Sequence, residues 1–271
     1  MSGEGDFAGK VAVITGGASG IGLAIGKRLI ALGGFAVLAD REQSTLEAAA
    51  GPLGDRALTH VCDVSDLSQV EALANVAFGW KGRVDLVLNN AGVGGPSGRL
   101  WDIDPDEARA HFDVNFWGAF YGSQVFARRL AQQEIPSALY NTASENSFFC
   151  AAPRMGTYVA AKHAVLGMTE SLREDVPPQL HVGTIIPGWV YTGIGQDKFM
   201  RHGMVADDYA AIVVPQLLGN ARFVVSHKSN RRHIAERMDA LAAAYDALGE
   251  NAGGVDEYDV RAMIEANRPK G

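Results

Sequence analysis

Cysteine is scarce in this chain, and its scarcity excludes a disulfide-stapled fold. Only two of the 271 residues are cysteine, Cys62 and Cys150, and each lies in an apolar stretch without a metal-type neighbour. We expect two buried, reduced thiols in a cytoplasmic protein.

The chain has fewer basic than acidic residues, and it lacks long apolar runs. Lys and Arg number 24 against 31 Asp and Glu, a formal net charge of −7, which disfavours nucleic acid or an anionic membrane as the main partner. No apolar run is long enough to cross a bilayer, and the first ten residues do not have the pattern of a signal peptide. A content of 47% hydrophobic residues is typical of a globular protein with a large core.

Short apolar runs alternate with longer amphipathic stretches along most of the chain. This alternation predicts an α/β fold of Rossmann type, a doubly wound parallel sheet in a single domain spanning 1–271. The apolar runs lie at 10–15, 35–39, 58–64, 84–90, 137–144, 181–187 and 222–227, and the helical patterns at 20–34, 42–50, 66–80, 105–133, 156–175, 207–218 and 234–248. We expect a substrate lid at 193–210 and a C-terminal extension at 250–271.

A glycine-rich turn follows the first predicted strand. TGGASGIG places glycines at 16, 20 and 22 directly before a helix, where glycine permits a tight turn and a close approach to a pyrophosphate. The helix start offers unpaired N–H groups to the phosphates. Asp40 follows 18 residues after Gly22, at the end of the second strand, where a carboxylate accepts from both ribose hydroxyls. It would repel a 2′-phosphate, so the sequence favours NAD over NADP, although Arg41 beside it would soften that repulsion.

Polar residues end the next two strands. Asp63, followed by Val64, lies near the adenine edge by geometry or else caps the following helix. The segment NNAG ends the fourth strand, at the edge where open α/β sheets bind ligands. Asn89 is as well explained by a structural role as by a cofactor contact, whereas Asn90 and Gly92 favour the cofactor.

Tyr158 and Lys162 are four residues apart, which places them on one face of a helix. A neighbouring cation lowers the pKa of a phenol, so that it can exchange protons near neutral pH. Removal of a hydride from an alcohol requires such a base at its hydroxyl.

The ordered set of TGGASGIG, Asp40, Asp63, NNAG, Asn115, Ser144, Tyr158, Lys162 and PGWVYT resembles the short-chain dehydrogenase/reductase family of NAD(P)-dependent oxidoreductases over about residues 8–192. The resemblance implies that Tyr158 is the acid/base, that Lys162 holds the nicotinamide ribose and lowers the tyrosine pKa, and that Ser144 orients the substrate oxygen. Asn115 would support a proton-relaying water. The cofactor-binding set implied is Gly16, Ser19, Gly20, Ile21, Gly22, Asp40, Asp63, Val64, Asn90, Ala91, Gly92, Tyr158, Lys162, Pro187, Gly188, Val190 and Thr192.

The chain departs from the family pattern in two places. Ser144 precedes Tyr158 by 14 residues, one more than is usual, which leaves Ser147 as a rival. The chain after 222 also lacks the Gly-rich final strand with which many relatives build a tetramer, so homodimer and homotetramer both stay open.

The residues expected to face the substrate are apolar or aromatic and lie in three segments, 93–96, 148–150 and 189–191. They favour a secondary alcohol or ketone with a bulky apolar or aromatic body. A steroid- or fatty-type hydroxyl dehydrogenase and a non-catalytic nucleotide sensor of the same fold are the alternatives. The histidines, His111 among them, have no ligand-type partners at short spacing, and we expect no metal site.

Overall fold

The computed structural model describes residues 7–192, 201–248 and 259–267. It divides into two units, Met1–Asn230 and Arg231–Gly271. The first contains the sheet and the candidate site. The second contains two helices in its described part, α8 (Arg231–Asp246) and α9 (Val260–Ala266).

The first unit is built on a seven-stranded parallel sheet in the order β3-β2-β1-β4-β5-β6-β9. The order reverses between β1 and β4, which opens a crevice at the carboxyl ends of these strands. The bounds are β1 Val11–Thr15, β2 Phe35–Asp40, β3 Ala57–Val61, β4 Leu86–Asn89, β5 Ser137–Thr142, β6 Leu180–Ile186 and β9 Phe223–Val225. β7 (Val190–Tyr191) and β8 (Met204–Val205) form a separate parallel pair.

Helices connect the strands. They are α1 Gly20–Ala31, α2 Gln43–Ala50, α3 Leu67–Lys81, α4 Pro105–Phe112, α5 Gly118–Leu130, α6 Gly156–Asp175 and α7 Ala206–Leu218. Short 3₁₀ helices lie at Gly51–Arg56, Leu100–Asp102, Glu145–Ser147 and Lys228–Asn230, and a π-helical turn at Asp113–Trp117.

Both faces of the sheet are buried, as the fold class predicts. Alternate residues of β1 point to opposite sides, so that Ile14 packs in one cluster with Ile25 and Leu29, and Val13 in another with Leu73. Because neither face meets water, the strands need apolar residues at successive positions.

The predicted helix over 105–133 is broken in the structure. α4 ends at Phe112, the π-helical turn Asp113–Trp117 follows, and α5 begins at Gly118. The extra residue in that turn interrupts the periodicity that the sequence suggests, and it carries Asn115.

The structure describes only parts of the predicted lid and of the predicted C-terminal extension. Within the predicted lid, 193–200 lies outside the described residues, and 203–210 holds β8 and the start of α7. Only 259–267 of the predicted extension is described.

Cys62 is buried as expected, but the expectation for Cys150 is wrong, because its loop leaves the thiol exposed. No helix in the described ranges is long and apolar enough to cross a membrane.

Candidate active site

The glycine-rich turn connects β1 to α1 at the reversal point of the sheet. Gly16 has φ +64°, and a Cβ there would lie 2.9 Å from the Cα of Ala91. At Gly22, a Cβ would lie 2.3 Å from the carbonyl oxygen of Gly16. Side chains at either position would push the turn away from the end of β4. The glycines thus bring the first turn of α1, with its unpaired N–H groups, to the mouth of the crevice.

Two further features of this turn fit a bound pyrophosphate. The hydroxyl of Ser19, the N-cap residue of α1, makes no capping hydrogen bond and is exposed. Thr192 packs against the turn, since a Cβ on Gly20 would lie 3.0 Å from its Cγ2. Ile21 is half-buried and packs on the core. Gly20 and Thr192, which are 172 positions apart in the sequence, therefore meet at one edge of the sheet.

The Asp40 carboxylate lies beside the glycine turn at the end of β2. The N–H of Ala18 donates to its Oδ2 at 3.3 Å, and the N–H of Arg41 donates to its Oδ1 at 2.8 Å. The Arg41 side chain lies 3.7 Å from the Glu42 carboxylate, and both are 65% exposed. Arg41 is thereby paired outside the crevice, although an exposed pair of this kind is weak.

Asp63 and Val64 follow β3. The Asp63 carboxylate accepts from the N–H and the hydroxyl of Ser65 at 2.9 and 2.6 Å, whereas Asp66 caps α3. Asp66, and not Asp63, is therefore the residue that caps the following helix. Val64 is buried against Gly118, where a Cβ would lie 2.6 Å from its Cγ2.

The asparagines of NNAG hold strands together. Asn89 donates to the Asn141 Oδ1 of β5 at 2.8 Å, which agrees with its structural interpretation. Asn90 also braces the sheet, since its Nδ2 donates to the Thr15 carbonyl at 3.1 Å and its Oδ1 accepts from Thr142 at 3.3 Å. The Thr15 hydroxyl in turn accepts from the Asn90 and Ala91 N–H groups at 2.9 and 3.1 Å. The side chain of Asn90 is thus engaged within the protein.

Gly92 opens the space between the turn and the candidate catalytic residues. A Cβ there would lie 2.9 Å from Asn115 Oδ1 and 3.7 Å from Lys162 Nζ. Asn115 is buried, and its Nδ2 donates to the carbonyls of Val93 and His111 at 3.1 and 3.2 Å. Its Oδ1 has no hydrogen-bond partner among the described residues. A buried carbonyl oxygen without a donor beside a lysine ammonium fits the ordered water that the family resemblance implies.

Lys162 reaches this space from α6. It is 4% exposed, and its Nζ donates to the carbonyl of Thr142 at 2.8 Å. Burial lowers its pKa from 10.5 to about 8. A lysine so desolvated changes charge near physiological pH.

Tyr158 lies on the same face of α6, one turn before Lys162. The Lys162 Nζ is 5.8 Å from the tyrosine ring centroid. Burial raises the pKa of Tyr158, and a hydrogen bond with the Ser144 hydroxyl acts in the opposite direction. The sequence predicted a lowered pKa. In the protein alone burial outweighs the neighbouring groups, because a phenolate loses more hydration than a phenol.

The structure distinguishes the two candidate serines. Ser144 is the N-cap residue of the 3₁₀ turn Glu145–Ser147 that follows β5. It accepts from the Asn146 N–H at 3.2 Å, and its hydroxyl lies close enough to Tyr158 to lower the pKa of the phenol. Ser147 instead donates to the carbonyl of Lys162 at 2.7 Å and is 2% exposed. Its hydroxyl is used to attach the turn to α6. With a spacing of 14 residues, Ser144 still lies close to the phenol.

Comparison with known proteins agrees with this geometry. A family model described as short chain dehydrogenase matches residues 10–202. The 1-deoxy-11-beta-hydroxypentalenate dehydrogenase of Streptomyces avermitilis is 38% identical over 232 residues, which cover 80% of this chain and 83% of that protein. The (+)-borneol dehydrogenase 1 of Salvia officinalis is 33% identical over 195 residues, covering 70% and 74%. A short-chain dehydrogenase/reductase from Burkholderia phymatum, crystallised in complex with NAD, superposes with a TM-score of 0.83 at 30% identity, covering 88% and 96%.

The chain belongs to the short-chain dehydrogenase family. It is an oxidoreductase that interconverts alcohols and ketones, as the family's Rossmann-type fold and its hydroxyl-oxidising relatives indicate.

The segment after Pro187 completes the site of this short-chain dehydrogenase. The Pro187 carbonyl accepts from the Glu145 N–H at 3.1 Å, which joins the segment to the turn that carries Ser144. Gly188 leaves room for His227 and Glu145, whose atoms would lie 2.6 and 2.8 Å from a Cβ there. Val190 is buried, whereas Trp189 is 50% exposed.

Not every residue that was expected to face the substrate is available for it. The ring of Phe148 packs edge-on against Phe223 of β9, with centroids 6.3 Å apart. Trp189 and Tyr191 remain about half exposed beside the β7–β8 pair. Of these aromatic residues, Phe148 is engaged in packing, whereas Trp189 and Tyr191 present exposed aromatic surface.

The sequence singled out His111 only as a histidine without metal-ligand partners, and the structure places it beside Tyr158. His111 is 3% exposed, and its ring centroid lies 6.0 Å from that of Tyr158. It precedes Asn115 by four residues. That spacing, one turn along the same helix face, was the signal that could have identified it.

Proposed function

We propose that this short-chain dehydrogenase uses NAD to interconvert a secondary alcohol and a ketone, with Tyr158 as the acid/base. The proposal rests on one observation. Ser144, Tyr158 and Lys162 lie together at the carboxyl edge of the sheet. The Ser144 hydroxyl lies close enough to the phenol to lower its pKa. Lys162 lies on the same helix face as Tyr158, with its Nζ 5.8 Å from the tyrosine ring centroid. A protein that only sensed the nucleotide would not need this set of proton-handling groups.

Each of the three side chains has a separate task in the proposed reaction. In the direction of oxidation, Tyr158 takes the proton of the alcohol hydroxyl, and in reduction it returns that proton to the carbonyl oxygen. Ser144 donates to the same oxygen while negative charge develops on it. Lys162 supplies positive charge that favours the phenolate, and the Thr142 carbonyl holds its ammonium in place.

The residues present fit a bound dinucleotide. The glycine turn and Ser19 would hold the pyrophosphate, Asp40 the adenosine ribose, and Lys162 the nicotinamide ribose. When bound, the nicotinamide ring supplies the hydride acceptor or donor.

NAD is proposed over NADP because of Asp40. Its carboxylate is fixed by two backbone N–H groups, so that it would face a 2′-phosphate with like charge. Arg41, the group that would offset this repulsion, is paired with Glu42. The relative from Burkholderia phymatum that was crystallised with NAD supports this assignment.

A bulky apolar or aromatic substrate is proposed from the lining of the site and from the relatives. Trp189 and Tyr191 offer exposed aromatic surface in the segment after Pro187, which is hydrogen-bonded to the turn that follows Ser144. Two relatives are dehydrogenases of a hydroxypentalenate and of (+)-borneol, which is consistent with such a substrate.

We also propose that the protein forms a homodimer and works in a reducing compartment. Aromatic rings run along the turn and the start of α5, where Trp117 packs on Phe120 and Tyr121 and stays 40% exposed. Such a surface supports a homodimer through α4 and α5. The two unpaired cysteines support a cytoplasmic location.

Replacement of Tyr158 by Phe tests the proposal. Y158F removes the exchangeable proton and keeps the ring, so turnover should disappear while NADH still binds. NADH production over a panel of secondary alcohols and quenching of NADH fluorescence measure the two properties. Turnover by Y158F near the wild-type rate would refute the mechanism, and no NADH production by the wild type from any alcohol, with intact NADH binding, would support the sensor alternative.

A further inference from the structure

His111 occupies an unusual position next to the proposed acid/base. It is the penultimate residue of α4, and its imidazole is buried at 3% exposure although it carries two polar nitrogens. Neither ring nitrogen has a hydrogen bond of normal geometry within the described part of the chain. A buried imidazole without hydrogen bonds costs stability, so a role in the site would explain its presence.

The imidazole touches the loop that follows NNAG. A Cβ on Gly95 would lie 3.0 Å from both Cδ2 and Nε2 of His111, so the loop backbone rests directly on one edge of the ring. The carbonyl of Val93, in the same loop, is close enough to favour the charged imidazole. Burial and the nearby Lys162 charge outweigh that carbonyl and lower the pKa of His111, which keeps the ring neutral.

The backbone of His111 is tied to the same loop. The amide of Asn115 donates to the carbonyl of Val93 at 3.1 Å and to the carbonyl of His111 at 3.2 Å. One side chain therefore clamps the loop to the last turn of α4. The imidazole itself packs against Gly95, Phe112 and Tyr158.

The Tyr158 ring is the neighbour through which His111 can affect the reaction. The two ring centroids are 6.0 Å apart with planes inclined at 52°. The tyrosine ring also faces Lys162, whose Nζ lies 5.8 Å from its centroid. Because close-packed groups transmit small displacements, a shift of the imidazole changes the space available to the phenol.

We propose that His111 is a positioning residue that couples the loop Val93–Pro96 to the ring of Tyr158. The loop presses on the imidazole through Gly95, and the imidazole in turn sets the orientation of the phenol. A substrate that seats against this loop would thereby influence how the acid/base is aligned. The inference rests on the proposed role of Tyr158 and goes beyond it.

A double-mutant cycle tests the coupling. In G95A the new methyl group must displace the imidazole by a few tenths of an ångström. We expect kcat for alcohol oxidation to fall about tenfold, because catalysis is sensitive to small misplacements of a reacting group. In H111A the imidazole is absent, so adding G95A should change kcat less than about twofold. H111A alone should also lower kcat, and H111F, which restores a planar ring, should recover most of the loss.

Controls separate positioning from general damage. Gly79 lies on α3, and a Cβ there meets nothing within 4 Å, so G79A should leave kcat unchanged. The KM for NAD and NADH binding should stay near wild type in G95A and H111A, since neither residue lies among the proposed cofactor contacts.

If G95A lowers kcat by the same factor in the wild type and in H111A, the proposed coupling is wrong. It is also wrong if G95A or H111A lowers kcat, NADH binding and the melting temperature together. If G95A does not fold, H111A and H111F decide the question, and equal kcat for these two variants overturns it. Turnover by Y158F would instead refute the proposed function, so the two failures are distinguishable.

Discussion

The buried lysine provides a prediction whose size follows from its pKa. A pKa of about 8 in place of 10.5 means that the folded protein disfavours the ammonium by roughly 3 kcal/mol, at about 1.4 kcal/mol for each tenfold change. Lys162→Met removes this cost and also removes the donor to the Thr142 carbonyl. Loss of that donor should cost roughly 1–3 kcal/mol at any pH.

The sign of the pH dependence follows from linkage. Between pH 8 and 10.5 the unfolded chain keeps a proton on Lys162 that the folded chain has released. The free energy of unfolding of the wild type therefore rises over this range relative to K162M. Below pH 8 we expect K162M to equal the wild type or exceed it by up to roughly 2 kcal/mol, and near pH 10.5 to be less stable.

Urea unfolding followed by tryptophan fluorescence, at pH values from 7 to 10, measures the difference between the two proteins. The control is Lys27→Met, which removes an exposed ammonium from α1. A difference between wild type and K162M that stays constant from pH 7 to 10 would refute the reasoning. K162M should have lost turnover, so that stability and activity change in opposite directions near neutral pH.

Two further predictions concern the cofactor and the serine pair. Asp40→Ser should reduce kcat/KM with NAD about tenfold or more by removing hydrogen bonds to the ribose, and should raise the NADP to NAD ratio of kcat/KM; an unchanged ratio would contradict the assignment of Asp40. Ser144→Ala should lower kcat about 100-fold, and because its hydroxyl accepts the Asn146 N–H it should also lower the free energy of unfolding by about 1 kcal/mol. Ser147→Ala should keep kcat and lower the free energy of unfolding by about 1 kcal/mol. The kinetics of both variants would show the reverse pattern of kcat if Ser147 were the catalytic serine.

The hydrophobic pattern was sufficient to predict the sheet because both of its faces are buried. Apolar residues at successive positions are required by such strands, so β1, β2 and β5 can be read directly from the chain. The break at Asp113–Trp117 was missed, since a single π-helical turn leaves almost no trace in an amphipathic pattern.

Motif spacing predicted which residues meet but not what each one does there. The face shared by Tyr158 and Lys162 follows from helical geometry, and the position of the glycine turn follows from its place between β1 and α1. The sequence favoured a cofactor contact for Asn90 and did not predict that its side chain also braces the sheet, because that role depends on Thr15 and Thr142, which lie on neighbouring strands.

By itself, the sequence determined the α/β class, the dinucleotide crevice and the tyrosine–lysine pair, because these depend on periodicity and on contacts within one helix or one turn. Only the tertiary structure hydrogen-bonded Ser147 to the Lys162 carbonyl, raised the pKa of Tyr158 and placed His111 beside it. Those properties arise from burial and from contacts between segments that are far apart in the chain. A local pattern of residues does not show which distant segments meet in the folded protein.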